Sequence, residues 1–506
     1  MSRVGRPPLG LAAAAVLAIA LAVLPLAYLV LRALDGGAAG AASLILRWRT
    51  VELLAVSIGL AVAVTASCLV IGTGLAWLVT RTDLPGRRFW QVACGLPLAL
   101  PSYVAAWSWI AVNPALAGFA GSWLVLTSIS YPYVYLPAMA ALRRTDPDAE
   151  AVARTLGLGQ AATWARIVMP QLRPALAGGA LLVGLYALSD FGAVATMRLE
   201  VLTTSIFRSY RSLFDITPAA VLGCLLAGLA LLVVVIEQLT RRGRARLAAR
   251  VPRRQPIVPL GPWRWVAPLA PAGVLAVALI VPGIGMAEWL GRGAVAFEIQ
   301  RTAVALGSTV VVAALGAACV VAIAFPLAVL AVRWPGRLAR AAELAAYAGH
   351  ALPGVVVGLA VVFFGIRFAR PVYQELPLLI MAYVILFLSL ALGVTQAAVA
   401  QAPPALEDVA RTLGHSPRRA RLSITGRLAA PGLAMAGALV FLTVMKELPA
   451  TLFLRPTGME TLATELWGRI SAASYAAAAP YAIAVVLVAA VPTAVLALFG
   501  ERRERA

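Results

Sequence analysis

DAEAVARTLGLGQAATWARIVMPQLRP, Asp148–Pro174, and ALEDVARTLGHSPRRARLSITGRLAAP, Ala405–Pro431, are two copies of one stretch. Both contain VARTLG, and Gly157 and Gly414 lie 257 positions apart (414 − 157). Ile follows each glycine by ten residues, at Ile167 and Ile424, and Pro follows by seventeen, at Pro174 and Pro431. A repeat with a period of half the 506-residue chain means two copies of one domain.

The surroundings of both copies are apolar. Hydrophobic residues make up 62% of the chain and charged residues 12%, about half the charged share of a soluble domain, so most of the chain lies in lipid. The net charge of +21 would suggest nucleic acid in a soluble protein, but here the arginines follow the positive-inside rule and no nucleic acid is implied. Cys68, Cys94, Cys224 and Cys319 sit in apolar runs without metal-ligand spacing and read as small buried residues. His350 and His415 have no Cys or His at ligand spacing, so no metal site is expected.

Apolar runs are read as spans at about 9–31, 51–80, 89–112, 122–142, 176–197 and 219–239 in the first half. The second half repeats them at about 265–286, 302–332, 344–368, 378–399, 431–454 and 479–499. Arg81, Arg87, Arg88, Arg143 and Arg144 mark the cytoplasmic side, as do Arg333, Arg337, Arg340 and the basic stretch from Arg241 to Pro256. Twelve spans, six per half, put both termini and both repeated segments inside. An even number of spans before the second copy makes the halves parallel repeats. The expected division is residues 1–240, a basic linker at 241–262, and residues 263–506.

A short amphipathic helix on the cytoplasmic face has three readings: a plain connection, an anionic-lipid contact through its arginines, or a helix docked in a partner's groove. In the second copy Arg411, Arg418, Arg419 and Arg421 stand against Val409, Leu413 and Leu422. Two copies of one sequence in corresponding loops favour a duplicated partner.

These residues resemble the EAA–x3–G–x9–I–x–LP signature of the membrane subunits of bacterial ABC importers. Ala151, Val152, Ala153, Gly157, Ile167, Met169 and Pro170 match its spacing, with Glu150 one residue before the acidic position. In the second copy Asp408, Val409, Ala410, Gly414 and Ile424 match, preceded by Glu407, and Gly426–Arg427 replace the closing LP. The resemblance implies an all-α polytopic membrane protein built from two tandem six-helix type I importer domains. It implies that segments 148–174 and 405–431 are coupling helices, where the small residues and glycine permit close approach to an ATP-binding subunit. Two copies of an ABC ATPase, carrying ATP and Mg, and an external substrate-binding protein are the implied partners, besides membrane lipid. The chain has no GxxxxGK[ST] phosphate loop, so no cofactor or catalytic site of its own is expected. The implied location is the bacterial cytoplasmic (inner) membrane.

The fused two-unit form resembles the iron(III)-type permeases, as do ALSDFGAVATMRLEVLTTSIFRSY (Ala187–Tyr210) and TVMKELPATLFLRPTGMETLATELW (Thr443–Trp467). Permeases for thiamine, phosphonates, polyamines and sulfate are related alternatives. At the common offset Asp190 corresponds to Glu447 and Ser189 to Lys446. Charges on spans usually face the protein interior or a water-filled path, so these four are candidate pathway residues. The rival reading places them at outer helix ends or in an ion pair between halves. If they serve the pathway, Asp190→Asn and Glu447→Gln are expected to reduce transport and leave assembly intact. Pro353, Gly354 and Gly358 read as a helix break with close packing, with a gate hinge as the alternative, and Tyr131, Tyr133 and Tyr135 as kinked packing, with ligand contact as the alternative. An ion-coupled secondary transporter would call for inverted repeats, and a membrane enzyme for a catalytic cluster. Neither is present in the sequence.

Overall fold

The structure is a computed structural model that describes residues 7–35, 37–212, 217–241, 257–292 and 298–489. Among these residues there is no strand, and helices follow one another from Leu9 onward. In hydrocarbon every backbone N–H and C=O needs an internal partner, so an apolar chain of this composition folds as helices.

The first half contains α1 (Leu9–Leu34), α2 (Trp48–Arg81), α3 (Arg87–Ala99), α4 (Ser102–Val112) and α5 (Phe119–Leu142). It continues with α6 (Pro147–Thr155), α7 (Gln160–Ser189), α8 (Gly192–Thr196), α9 (Leu202–Ser212) and α10 (Thr217–Arg241). The second half repeats the order. It comprises α11 (Gly261–Arg292), α12 (Ile299–Arg333), α13 (Arg337–Ala351), α14 (Gly354–Phe368) and α15 (Leu376–Gln401). Then come α16 (Pro404–Thr412), α17 (Pro417–Met445), α18 (Pro449–Leu454), α19 (Leu462–Ser471) and α20 (Ala476–Ala489).

Among the described residues nine helices are long and apolar enough to cross a membrane, or eleven if each bent pair counts as one span. The twelfth expected span is described only as far as α20 reaches. Two spans are bent at the prolines that the sequence marks as breaks: α3 and α4 meet at 94° and α13 and α14 at 106°. Pro101 and Pro353 sit at these breaks, where they cap the following half-helix and cannot donate to the preceding one. Two other spans shift in register. The fifth begins at Gln160 and stops at Ser189, and the eleventh begins at Pro417 and stops at Met445. The sequence 176–197 and 431–454 had placed the following short helices, α8 and α18, inside them.

Each half has a three-helix centre: α2, α5 and α7 pack together, as do α12, α15 and α17. The first helix of each half lies on the other half. α1 packs on α12, α13 and α14, with the Tyr28 ring 6.1 Å from that of Phe363. α11 packs on α4 and α5, where Trp289 Nε1 donates to Trp107 O at 3.1 Å. The linker's described end also belongs to the first half. Val258 N donates to Arg81 O at 2.7 Å, and Leu260 N to the Asp83 carboxylate at 2.8 Å. The basic residues 242–256 lie outside the described residues.

The crossover rests on one tight contact. A Cβ added to Gly285 of α11 would come 2.0 Å from the carbonyl oxygen of Ser108 on α4. Gly285→Leu is therefore expected to push α11 off the first half and lower the unfolding temperature of the purified protein. Overpacking costs about 1–3 kcal/mol or more. Gly283→Leu on the same helix, where a Cβ meets nothing within 4 Å, is the control that leaves it unchanged.

Of the four cysteines, all free, Cys68 and Cys94 are buried and Cys224 is half-buried as expected of small core residues. Cys319 is exposed on α12, which corrects that reading. Tyr131 and Tyr135 of α5 are fully buried.

Candidate functional site

The two repeated segments fold alike. α6 and α16 are nine residues each. Each ends in a glycine with positive φ, +85° at Gly157 and +87° at Gly414. Leu158 N donates to Ala153 O and Gly157 N to Arg154 O, and His415 N and Gly414 N repeat this to Ala410 O and Arg411 O. That is the Schellman closure, which needs a residue free to adopt the left-handed conformation. A Cβ at either glycine meets nothing within 4 Å in this chain, so within the chain the glycine serves the turn and leaves the outer side of the segment open. Both copies then enter a π-helical turn, Trp164–Val168 and Arg421–Gly426, before α7 and α17 begin their crossing. Ile167, Pro170 and Ile424 are half-buried along this turn.

Which side each helix shows is the reverse of an ordinary amphipathic helix. The buried positions are a carboxylate and an alanine: Glu150 and Ala153 on α6, Glu407 and Ala410 on α16. The apolar positions face out. Val152 and Leu156 are 57% and 77% exposed, and Val409 and Leu413 are 55% and 76% exposed. Ala151 and Asp408, at the signature's acidic position, are exposed too, and Asp408 pairs with Arg411 at 3.4 Å. An apolar ridge held outward by a buried charge fits a surface made for a partner.

The buried carboxylates are held by arginines that the sequence reading took only as markers of sidedness. Arg81, the last residue of α2, donates to Glu150 at 2.6 and 3.5 Å and also to the Thr145 hydroxyl. Its counterpart Arg333, the last residue of α12, lies 3.8 Å from Glu407 and donates to Ala402 O at 2.6 Å. The Thr425 hydroxyl donates to Glu407, tying α16 to the start of α17. Each repeated segment is thus bolted to the end of a long span. The legible signal was that Arg81 and Arg333 recur 252 positions apart and Glu150 and Glu407 recur 257 apart.

The four candidate pathway residues gather at the ends of α7 and α17, where each half breaks before a short helix. Asp190 is buried, and its Oδ1 accepts from Ala193 N at 2.9 Å and Val194 N at 3.3 Å, capping α8. Glu447 does the same for α18, accepting from Ala450 N at 2.9 Å and Thr451 N at 3.0 Å, with the Thr451 hydroxyl at 2.8 Å. A carboxylate at a helix N-terminus meets unsatisfied N–H groups and the positive end of the helix dipole. Both caps sit against the bends. A Cβ at Gly354, the first residue of α14, would lie 2.7 Å from Glu447 Oε1, and one at Gly358 would lie 3.0 Å from the Phe453 ring. Lys446 reaches across the halves and donates to Leu98 O at 3.2 Å, while Ser189, its counterpart, is half-buried.

Outside this break the halves meet through aromatic rings. Phe191 lies 4.8 Å from Phe207 and 4.9 Å from Trp467, and Phe207 lies 5.5 Å from Phe453. Phe207 and Trp467 occupy the same place on the short helices α9 and α19. Those helices are anchored alike: Leu202 N donates to the Ser57 hydroxyl and Leu462 N to the Thr309 hydroxyl. The sequence reading did not single out this cluster. No group of three or more His, Cys, Asp or Glu that could hold a metal ion occurs among the described residues.

Comparison with known proteins places this architecture. Residues 321–505 match the family model described as binding-protein-dependent transport system inner membrane component. The chain is 33% identical over 498 residues to the Fe(3+)-transport system permease protein FbpB 2 of Haemophilus influenzae, covering 97% of this chain and 98% of that one. It is 30% identical over 195 residues to the sulfate transport system permease protein CysT of Escherichia coli, covering 34% of this chain and 70% of that one. A further likeness is to the sulfate transport system permease protein CysW of Synechocystis, 26% identical over 201 residues.

Proposed function

Because the chain belongs to the binding-protein-dependent transport system inner-membrane permeases, we propose that it forms, as one fused polypeptide, the whole transmembrane pathway of an ATP-driven importer for iron(III). The observation that carries the reading is the duplicated outward-facing ridge: Val152–Leu156 and Val409–Leu413, each ended by a left-handed glycine and each bolted by a buried Glu–Arg pair. One ridge docks on each of two ATPase subunits, which carry the ATP and Mg. When the ATPases close, the ridges move, and the bolts transmit that motion to α2 and α12. The pathway then opens outward to a loaded substrate-binding protein and inward after hydrolysis. This chain hydrolyses nothing itself. It works in the inner membrane with both termini cytoplasmic, and residues 1–240 and 263–506 act as its two units.

Iron is favoured because the Haemophilus iron permease matches along the full length, whereas the sulfate permeases match about a third of this chain. Those sulfate relatives keep sulfate as the second reading. The test is uptake of radioactive iron(III) into proteoliposomes that hold the chain, its ATPase and its binding protein. ATP-dependent iron accumulation is expected. ATP-dependent accumulation of sulfate, thiamine, a phosphonate or a polyamine, with none of iron, contradicts the iron reading and leaves the importer reading standing.

A further inference from the structure

The seam between the halves carries charge of one sign at the places where a cargo would meet it. On the outer side a cavity of about 460 Å3 is lined by Arg198, Arg208 and Arg211 against one carboxylate, Glu200, beside the rings of Phe207 and Trp467. Glu200 is already engaged by Arg208 and Arg49. Lys446, the chain's single lysine, ends the crossing of α17 and stands three residues before α18, which carries Phe453 of the aromatic cluster. Its ammonium crosses from the second half to a carbonyl of the first and has no carboxylate within 4 Å among the described residues. Its counterpart by the repeat is the neutral Ser189.

The negative groups nearby are already engaged as helix caps. Asp190 gives Oδ1 to two backbone amides, and Glu447 gives both oxygens to amides and a hydroxyl. A hard multivalent cation calls for several open oxygen ligands, and a charge on a span faces a partner or a path. Capped carboxylates beside an unpaired ammonium suit an anion.

We propose that the cargo crosses this seam as an anion, with Lys446 as a residue that contacts it and the outer arginines as its entry. For iron(III) this means a complex whose oxyanion ligands outweigh the metal's charge. The inference rests on the permease reading above.

The test uses the complete complex in proteoliposomes, with the binding protein loaded with radioactive iron in labelled inorganic phosphate as the only oxyanion. Phosphate label entering in fixed proportion to iron is the expected result. Iron entering without phosphate overturns the proposal and leaves the iron reading intact. Labelled phosphate accumulating while iron does not supports the proposal and overturns the iron reading. Lys446→Gln is expected to lower uptake about tenfold or more, with ATP hydrolysis by the assembled complex retained and Lys446→Arg restoring uptake. Wild-type uptake by Lys446→Gln overturns the proposal.

Discussion

Replacing Glu407 by alanine is expected to abolish ATP-driven uptake and to destabilise the second half by about 3–5 kcal/mol, the cost of leaving one member of a buried ion pair alone. Arg333 is 6% exposed at its side chain and Glu407 is 1% exposed, so water cannot take the place of the lost carboxylate. One further tie disappears with it, because the Thr425 hydroxyl donates to the same carboxylate and joins α16 to α17. Glu150→Ala acts in the same way on Arg81, whose side chain is 4% exposed. Replacing both partners at once, Arg81→Met with Glu150→Leu, removes the stranded charge and is expected to recover most of the stability. It should not recover transport, because the α6-to-α2 link then lacks its directional bonds. Thermal unfolding in detergent checks the stability, and coupled ATPase assays check the link. Equal loss in the single and double variants would contradict the charge argument.

The second large effect concerns binding. Leu156→Asp together with Leu413→Asp is expected to leave this chain folded and to eliminate capture of the ATPase subunits. Both leucines are about three-quarters exposed in the chain alone, and substitutions at such positions usually change stability by no more than about 0.5 kcal/mol. At a docked interface a central apolar anchor costs about 2 kcal/mol or more, so each ridge loses about thirtyfold in affinity and the pair loses avidity as well. Co-purification with the ATPase reads the result directly. The two single variants differ in environment. α6 has Ala151 where α16 has Asp408 paired with Arg411, so unequal losses from the two ridges are expected.

Much of the architecture was legible because the period of the repeat and the apolar runs are properties of the chain itself. The repeated segment pointed to the two-unit plan, and the second half repeats the helix order of the first. Three things were not legible. The places of the bends at Pro101 and Pro353 are marked by the prolines, but their size, 94° and 106°, is not, because a proline permits a turn and does not set it. The ends of α7 and α17 were displaced because α8 and α18 are as apolar as the spans before them, so only the capping carboxylates Asp190 and Glu447 mark the break. The orientation of the helices in the repeated segments was also hidden. Amphipathic reasoning puts leucine inward and glutamate outward, and here the buried arginines at the ends of α2 and α12 reverse it. Arg81 and Arg333 were counted among many cytoplasmic arginines, and their pairing with Glu150 and Glu407 needs the fold to bring together positions 69 and 74 residues apart (150 − 81 and 407 − 333).

The central claim is that two coupling helices of one chain convert the closure of separate ATPases into transport. The most direct measurement is uptake in proteoliposomes holding the chain and binding protein, with the driving force varied. The account predicts uptake with ATP and the ATPase present, none with a proton gradient alone, and none with ATP when Leu156 and Leu413 are both aspartate. Uptake driven by a proton gradient in the absence of the ATPase would contradict it.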